Sequence, residues 1–414
     1  MHPRSVVITG FGILACNGLG RAAFWDSLKN GQSGIRRIER FDPSPYPCQI
    51  AGELWGFDAN DFLRKADVKR WHRYVHQAVA SAKLAAEDAA LSEAGYNPER
   101  VAVGFGTSAG APDEYYMKYR DSFENGGWSK IDKLASSTSS GHAATANVSA
   151  LLQARGPATT LASGCATGLD VISWGASQIR RGLADAAICG ASEAPLTELT
   201  LAATCSLGIL SKRNDEPEKA MRPFDRDSDG IVLSEGAGAV ILESAENAKS
   251  RGAPILAEVC GYGGAAEGQN ALILDKEGKA LARAITAALH ESGLTPADVD
   301  GAACHGVSLP SYDRSETNAF KDALGRYAYR IPITACKSMT GQPYSAGGIF
   351  NVGTALFALA SGIMPPTINL DEPDPMCDLD FVPKIARYND VQVMLVTAMS
   401  FGGTHGALVM RKRN

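Results

Sequence analysis
The chain has no Cys-x-x-Cys pair and no histidine cluster at metal-ligand spacing, although it carries nine cysteines and seven histidines. The cysteines are Cys16, Cys48, Cys165, Cys189, Cys205, Cys260, Cys304, Cys336 and Cys377. An odd number at wide spacing argues against a disulfide framework and fits reduced thiols in a cytoplasmic protein. No metal site is expected. No apolar run is long enough to cross a membrane. The sequence goes directly into an apolar segment, Ser5-Val6-Val7-Ile8-Thr9, and no signal peptide is expected. There is no excess of positive charge: the net charge of -5 argues against nucleic acid as the main partner. An acidic carrier could still dock on a local basic patch. No linker or low-complexity stretch divides the 414 residues near 250.

What is present is a sizeable apolar fraction, 45% against 21% charged, enough for a large core. Apolar runs ending in glycine or polar turns alternate with helical periodicity. Strands are predicted over 6–12, 101–106, up to 160, and over 184–189 and 238–243. In the second half they are predicted over 255–261, 300–304, 331–335 and 391–397. Helices are predicted over 22–29, 68–91, 167–181, 280–292 and 346–362. Residues 107–145 read as a less regular insertion rich in Tyr, Ser and Gly. The second half repeats the first in outline. The pattern predicts an α/β protein with mixed sheets sandwiched by helices, in an N-terminal half, 1–250, and a C-terminal half, 251–414.

Chemistry concentrates at the predicted strand ends. Thr159-Thr160-Leu161 runs through Ala162-Ser163-Gly164 into Cys165, and a helical pattern begins at Thr167. A cysteine at a helix N-terminus is expected to favour thiolate, and the N–H groups there can hold an oxyanion. A buried structural cysteine is the plainer alternative. His305 opens Gly306-Val307-Ser308 and is expected to be mobile enough to face a pocket, with a satisfied loop histidine as the alternative. Lys337 directly follows a buried strand and calls for a carboxylate, with Glu316 as the candidate and a structural ion pair as the alternative. Ala109, in the loop after Gly106, hints at a roomy pocket.

These stretches resemble the β-ketoacyl-acyl-carrier-protein synthases of the thiolase superfamily, in particular the elongating type II enzymes. The resemblance covers nearly the whole chain. It rests on Ser163-Gly164-Cys165-Ala166-Thr167-Gly168, Arg222-Pro223-Phe224-Asp225, Asp229-Gly230-Ile231-Val232-Leu233-Ser234-Glu235-Gly236-Ala237-Gly238, Glu316-Thr317-Asn318-Ala319-Phe320-Lys321, Lys337-Ser338-Met339-Thr340-Gly341, Pro365-Pro366-Thr367-Ile368-Asn369-Leu370 and Phe401-Gly402-Gly403-Thr404. It implies a thiolase fold, five-layered αβαβα, with two pseudo-repeated halves. It implies Cys165 as the acyl-accepting nucleophile, His305 as the first of two histidines, and Lys337 with Glu316 as a buried supporting pair. The N–H groups of Cys165 and Met399 fall in the places of the oxyanion hole. Met399 also takes the place of the gating aromatic, in a turn that continues through Phe401, Gly402 and Gly403.

The resemblance further implies substrates carried on the phosphopantetheine of an acyl carrier protein, with no other cofactor. A homodimer through the strand before the nucleophile is expected, or a heterodimer with a related ketosynthase-like chain. There are departures. Gln342 stands where the second histidine is expected, giving Cys-His-Gln. Val307 and Leu309 replace two threonines that hold the pantetheine arm. Ser400 replaces a glycine and His405 an asparagine. The implied activity is decarboxylative Claisen condensation of acyl-Cys165 with malonyl-carrier, in fatty acid or polyketide-type specialised biosynthesis. Two rivals are an acyltransferase that loads Cys165 without decarboxylation, and a chain-length-setting partner of a ketosynthase.

Overall fold
The computed structural model describes residues 4–269 and 273–413. The strands that frame the site are β1 (Val6–Ala15), β2 (Val101–Gly106), β3 (Ala158–Leu161), β4 (Ala186–Glu193) and β5 (Gly236–Ser244) in the first half. The second half supplies β6 (Ala257–Ala266), β7 (Gly301–Ala303), β8 (Ile333–Thr334), β9 (Val393–Met399) and β10 (Thr404–Arg411). The main helices are α1 (Arg73–Asp88), α2 (Thr167–Arg180), α3 (Lys279–Ser292), α4 (Pro310–Leu324) and α5 (Gly347–Ser361).

Hydrogen bonding runs through one eleven-stranded path in the order β3-β2-β4-β5-β1-β6-β10-β9-β7-β8, with the short strand Gly18–Leu19 beside β1. The seam is the antiparallel pairing of Val6 with Val259 and of Ile8 with Ala257. Outward from it each half follows the same sequence of pairings. β1–β5 and β5–β4 are antiparallel, then β4–β2 and β2–β3 parallel. β6–β10 and β10–β9 are antiparallel, then β9–β7 and β7–β8 parallel. The repeat read in the sequence is thus a repeat of strand order and direction.

Helices cover both faces. α1 packs on β1, β5 and β4; α3 packs on β6 and β10 and beside α4. α2 and α5 meet between the half-sheets. One apolar cluster fills this central layer and two others fill the outer ones. α5 is buried from Gly347 to Leu359, as its apolar sequence on every face requires. Close approach of α2 to α5 depends on Gly168: a Cβ there would lie 2.9 Å from both Ile349 N and Ser345 O.

Two expectations are corrected. The helix expected over 68–91 is broken: Lys65–Arg70 ends at Trp71, and α1 starts after His72. The break lets the buried His72 ring reach Glu114, with Nδ1 3.2 Å from the carboxylate. The insertion over 107–145 is mostly helical, with helices Pro112–Gly126 and Ala135–Thr138 and the start of Ala143–Leu152. The first has proline at its start and Asp113 and Glu114 in its first turn, which suit a helix N-terminus.

β3 ends the sheet. It pairs with β2 on one side, and Ala158 is exposed while Thr159, Thr160 and Leu161 are half-buried. Such an edge, running straight into the nucleophile turn, is expected to be covered by a second chain. Sedimentation at micromolar concentration should therefore give about twice the chain mass of 43.6 kDa. A monomer would remove the argument.

Candidate active site
Cys165 lies in the tight turn Gly164–Ala166 between β3 and α2. Gly164 has φ +70°, a conformation that side chains resist, and this lets the strand fold back into the helix. Ser163 is tied down on both sides: its N–H donates to Thr167 Oγ1 at 2.8 Å, and its hydroxyl donates to Asp170, which also accepts from the Tyr262 hydroxyl. Gln342 Nε2 donates to Cys165 Sγ at 3.3 Å, and the main-chain N–H of Phe401 lies near enough to the same sulfur to favour its charged form.

The expectation of a resting thiolate is corrected. Cys165 is buried, and burial pushes its thiol up to about 11. The charge of Lys337 pulls the other way, Glu193 adds to the rise, and the Phe401 and Gln342 hydrogen bonds offset part of it. Desolvation wins because the sulfur sits inside the protein and the helix begins only at Thr167.

His305 follows β7 and is not free to swing, contrary to the sequence reading of Gly306. Glu316 accepts the N–H of His305 and of Gly306, each at 2.8 Å. Asp313, one turn earlier on α4, accepts the N–H of Val307 at 2.9 Å and that of Phe224 at 2.9 Å. Two carboxyls on one helix face thus hold the whole loop. Burial pushes Glu316 up from its ordinary value and Asp313 up to about 7.

Lys337, which opens the short helix Lys337–Thr340 after β8, donates to the His305 carbonyl at 2.5 Å and lies 3.3 Å from His305 Nδ1. The expected Lys337–Glu316 pair is therefore corrected: the two meet through the His305 backbone rather than each other. Glu316 spends its oxygens on two N–H groups and on Thr397 Oγ1 at 2.7 Å. With Lys337 donating to Nδ1, the ring proton of a neutral His305 sits on Nε2. Burial first, and then the charge of Lys337, hold the ring well below the usual histidine range, so it is neutral at pH 7.

Gln342 is fully buried, its main chain fixed by Val232 O at 2.8 Å. Its Nε2 is used on the sulfur and its Oε1 has no partner. The residues around Cys165 enclose a cavity of about 260 Å³, lined by Ser108, Ala109, Gly164, Cys165, Pro195, Thr200, Tyr344 and Phe401. Ala109 is where the sequence placed it. Val307, Leu309, Gly402 and Gly403 do not line this cavity: Val307 is buried in the outer core, and Leu309 caps α4.

Met399 is corrected as well. It is the last residue of β9, buried in the core and away from the cavity. The residue at the mouth is Phe401, 44% exposed, with its ring 5.1 Å from Tyr312, itself 6.4 Å from His305. The chain turns after Met399, and that turn brings the Phe401 N–H to the sulfur.

Two groups escaped the sequence reading. Glu193, ending β4, is fully buried and accepts from Thr107 Oγ1 at 3.0 Å, Ser345 Oγ at 2.8 Å and the Ser108 N–H. Its Oε2 has no partner, and burial raises its carboxyl above the ordinary value. Its signal was a carboxylate closing an otherwise apolar strand. Ser400 was noted only as a lost glycine. Among the described residues no group of three His, Cys, Asp or Glu could hold a metal, and no helix is long and apolar enough to cross a membrane.

A repeated α/β fold with a mixed sheet, and a buried cysteine bonded to an amide and acted on by a lysine, point to a thiolase-fold condensing enzyme. Comparison with known proteins agrees. Residues 3–248 match the beta-ketoacyl synthase N-terminal domain and residues 256–371 the C-terminal domain. The chain is 37% identical to the tetracenomycin polyketide synthase ketoacyl synthase alpha subunit of Streptomyces glaucescens, over 99% of this chain and 97% of that one. It is 36% identical to 3-oxoacyl-[acyl-carrier-protein] synthase 2 of Coxiella burnetii, over 100% and 99%. Among solved structures it resembles a ketosynthase of a type II polyketide synthase, bound to the hexaketide and in complex with its acyl-carrier protein. The TM-score is 0.91, with 32% identity over 100% of both chains. The chain belongs to the β-ketoacyl synthase family, the condensing acyltransferases of fatty acid and polyketide biosynthesis.

The buried thiol makes a direct forecast. Alkylation of Cys165 by iodoacetamide, followed by peptide mass spectrometry, should climb about tenfold per pH unit from neutral pH upward, because only the thiolate reacts. With the thiol pushed up to about 11, no plateau is expected near the usual cysteine value. A plateau there would show that the sulfur is not desolvated as described.

Proposed function
We propose that this chain is a condensing β-ketoacyl synthase with a Cys165-His305-Gln342 centre, served by acyl carrier protein in the cytoplasm. The observation that carries the reading is the sulfur itself. Cys165 lines the cavity from within, with Gln342 Nε2 3.3 Å from its sulfur and the Phe401 main chain beside it.

In the first half-reaction Cys165 Sγ attacks the acyl thioester carbonyl. The bond to the pantetheine sulfur breaks, and that sulfur leaves with the proton given up by Cys165. The N–H groups of Cys165 and Phe401 receive the oxyanion. In the second, malonyl-carrier loses carbon dioxide and the electron pair of the broken C–C bond passes into an enolate. His305 Nε2–H donates to the enolate oxygen, and Gln342 Nε2–H supports it. Burial and the charge of Lys337 keep His305 neutral, and Glu316 holds its main chain in place. The enolate carbon attacks the acyl-Cys165 carbonyl, the C–S bond breaks, and the thiolate takes up a proton from solvent.

A second reading is acyl transfer without decarboxylation, favoured by the amide at 342, which cannot take positive charge. A third is a chain-length-setting role beside a ketosynthase partner, since a ketosynthase/chain length factor is among the solved structures that this chain resembles. Mass spectrometry with acyl-carrier and malonyl-carrier thioesters separates them. Condensation predicts acyl-Cys165 and a product longer by one malonyl-derived unit; transfer predicts acyl-Cys165 alone; the partner role predicts no adduct. Cys165→Ala should abolish loading with the fold intact.

Gln342→His should raise release of carbon dioxide from malonyl-carrier. Histidine offers an N–H in the same place and can become cationic. The gain expected is roughly 1–2 kcal/mol at the transition state, about tenfold in rate. A fall with loading of Cys165 unchanged would mean that the pocket is built around the amide.

A further inference from the structure
Ser400 stands where the resemblance calls for glycine, and its side chain is buried between the nucleophile turn and the loop that begins with it. Its Oγ accepts from the Ala166 N–H at 2.8 Å and donates to the Ser163 carbonyl at 2.6 Å. One hydroxyl therefore holds both ends of the turn that carries Cys165. The contact is tight from the other side too: a Cβ built on Gly164 would lie 2.8 Å from Ser400 Cβ. The main chain of Ser400 is fixed as well. Its N–H donates to Thr404 O at 2.9 Å and its carbonyl accepts from the Gly403 N–H at 3.1 Å. The next N–H along the chain, that of Phe401, lies near the sulfur and favours its charged form.

We infer that Ser400 is a positioning residue for acyl transfer: its hydroxyl locks the N–H groups of Phe401 and Cys165 to one another, so that the thioester oxygen meets two donors at a fixed separation. This rests on the assignment of Cys165 as the acyl-accepting nucleophile. The two donors come from distant parts of the chain, one after β3 and the other after β9. An oxyanion hole works when its donors are aimed before charge develops, and small displacements of such donors are costly. Ser400 is the side chain whose hydrogen bonds cross directly between the two segments. Glycine or alanine at 400 would leave their alignment to the sulfur contact and to packing.

Two reactions of the same sulfur separate this role from a general structural one. Acylation by a thioester passes through an oxyanion. Alkylation by iodoacetamide forms a C–S bond as iodide leaves, with no oxyanion. Ser400→Ala and Ser400→Gly would be compared with wild type in both. The acyl donors would be a series of carrier thioesters from acetyl to octanoyl, and folding would be checked by thermal melting. The expected result is a fall in the saturated acylation rate of about ten- to hundred-fold in both variants. The half-saturating carrier concentration and the alkylation rate should stay unchanged. Equal slowing of acylation and alkylation would indicate a displaced thiol or general damage and overturn the inference. No slowing in either variant would overturn it, as would slowing in Ser400→Gly alone, which would point to backbone freedom rather than the hydroxyl. Wild-type protein that is alkylated at Cys165 but never acylated there would remove the nucleophile assignment, and this role with it.

Discussion
The two halves of the molecule can share one site because α2 and α5 touch with almost nothing between them. At Gly168 the backbone of α2 lies directly against Ile349 and Ser345. Cys165 comes just before α2, and Gln342 and Lys337 come just before α5. A side chain at 168 would separate the helices and draw the sulfur from the amide. Packing between apolar helices thus sets a polar geometry. Each half contributes what the other lacks: the first the cysteine and most of the cavity wall, the second the histidine, the lysine, the amide and Phe401.

The electrostatics of the centre follow from burial more than from formal charge. Glu193, Glu316 and Asp313 are all buried, and burial raises each carboxyl. Their oxygens are met largely by backbone N–H and hydroxyl groups, so they act as fixed acceptors that hold loops in place. Lys337 is spent on His305, where it keeps the ring neutral and fixes its proton. The outcome is a centre of neutral reacting groups, thiol, imidazole and amide, surrounded by charges that orient them. Such a site stabilises charge that appears during reaction without a large resting charge that must first be moved.

Much of this was legible in the sequence, and the failures have physical reasons. Apolar runs ending at Gly106, Glu193, Cys304 and Ala335 mark strands, and strand ends are where α/β sites form, so Cys165, His305 and Lys337 were found. The Pro112–Gly126 helix was missed because its aromatic and polar residues carry little apolar periodicity; proline and acids at its start were the usable signal. Met399 takes the gate's place only by resemblance, and resemblance does not tell that the strand runs on through Met399 and turns after it. The partner of Lys337 was misjudged because a carboxylate can be satisfied by backbone N–H groups, which leave no trace in side-chain chemistry. The raised thiol was missed because a helix-end argument counts dipoles and not the water that burial removes.

Phe401 divides its duties between two parts of one residue. Its backbone N–H lies near the sulfur, while its ring stands at the mouth of the cavity, 44% exposed. The backbone donor exists whatever side chain is attached. Evolution can therefore change the shape of the doorway, and so which acyl chains pass, by substitutions at a position whose chemical contribution is invariant. Selectivity and reactivity are written in one residue but can drift separately, which suits a scaffold that turns up in both fatty acid and polyketide assembly.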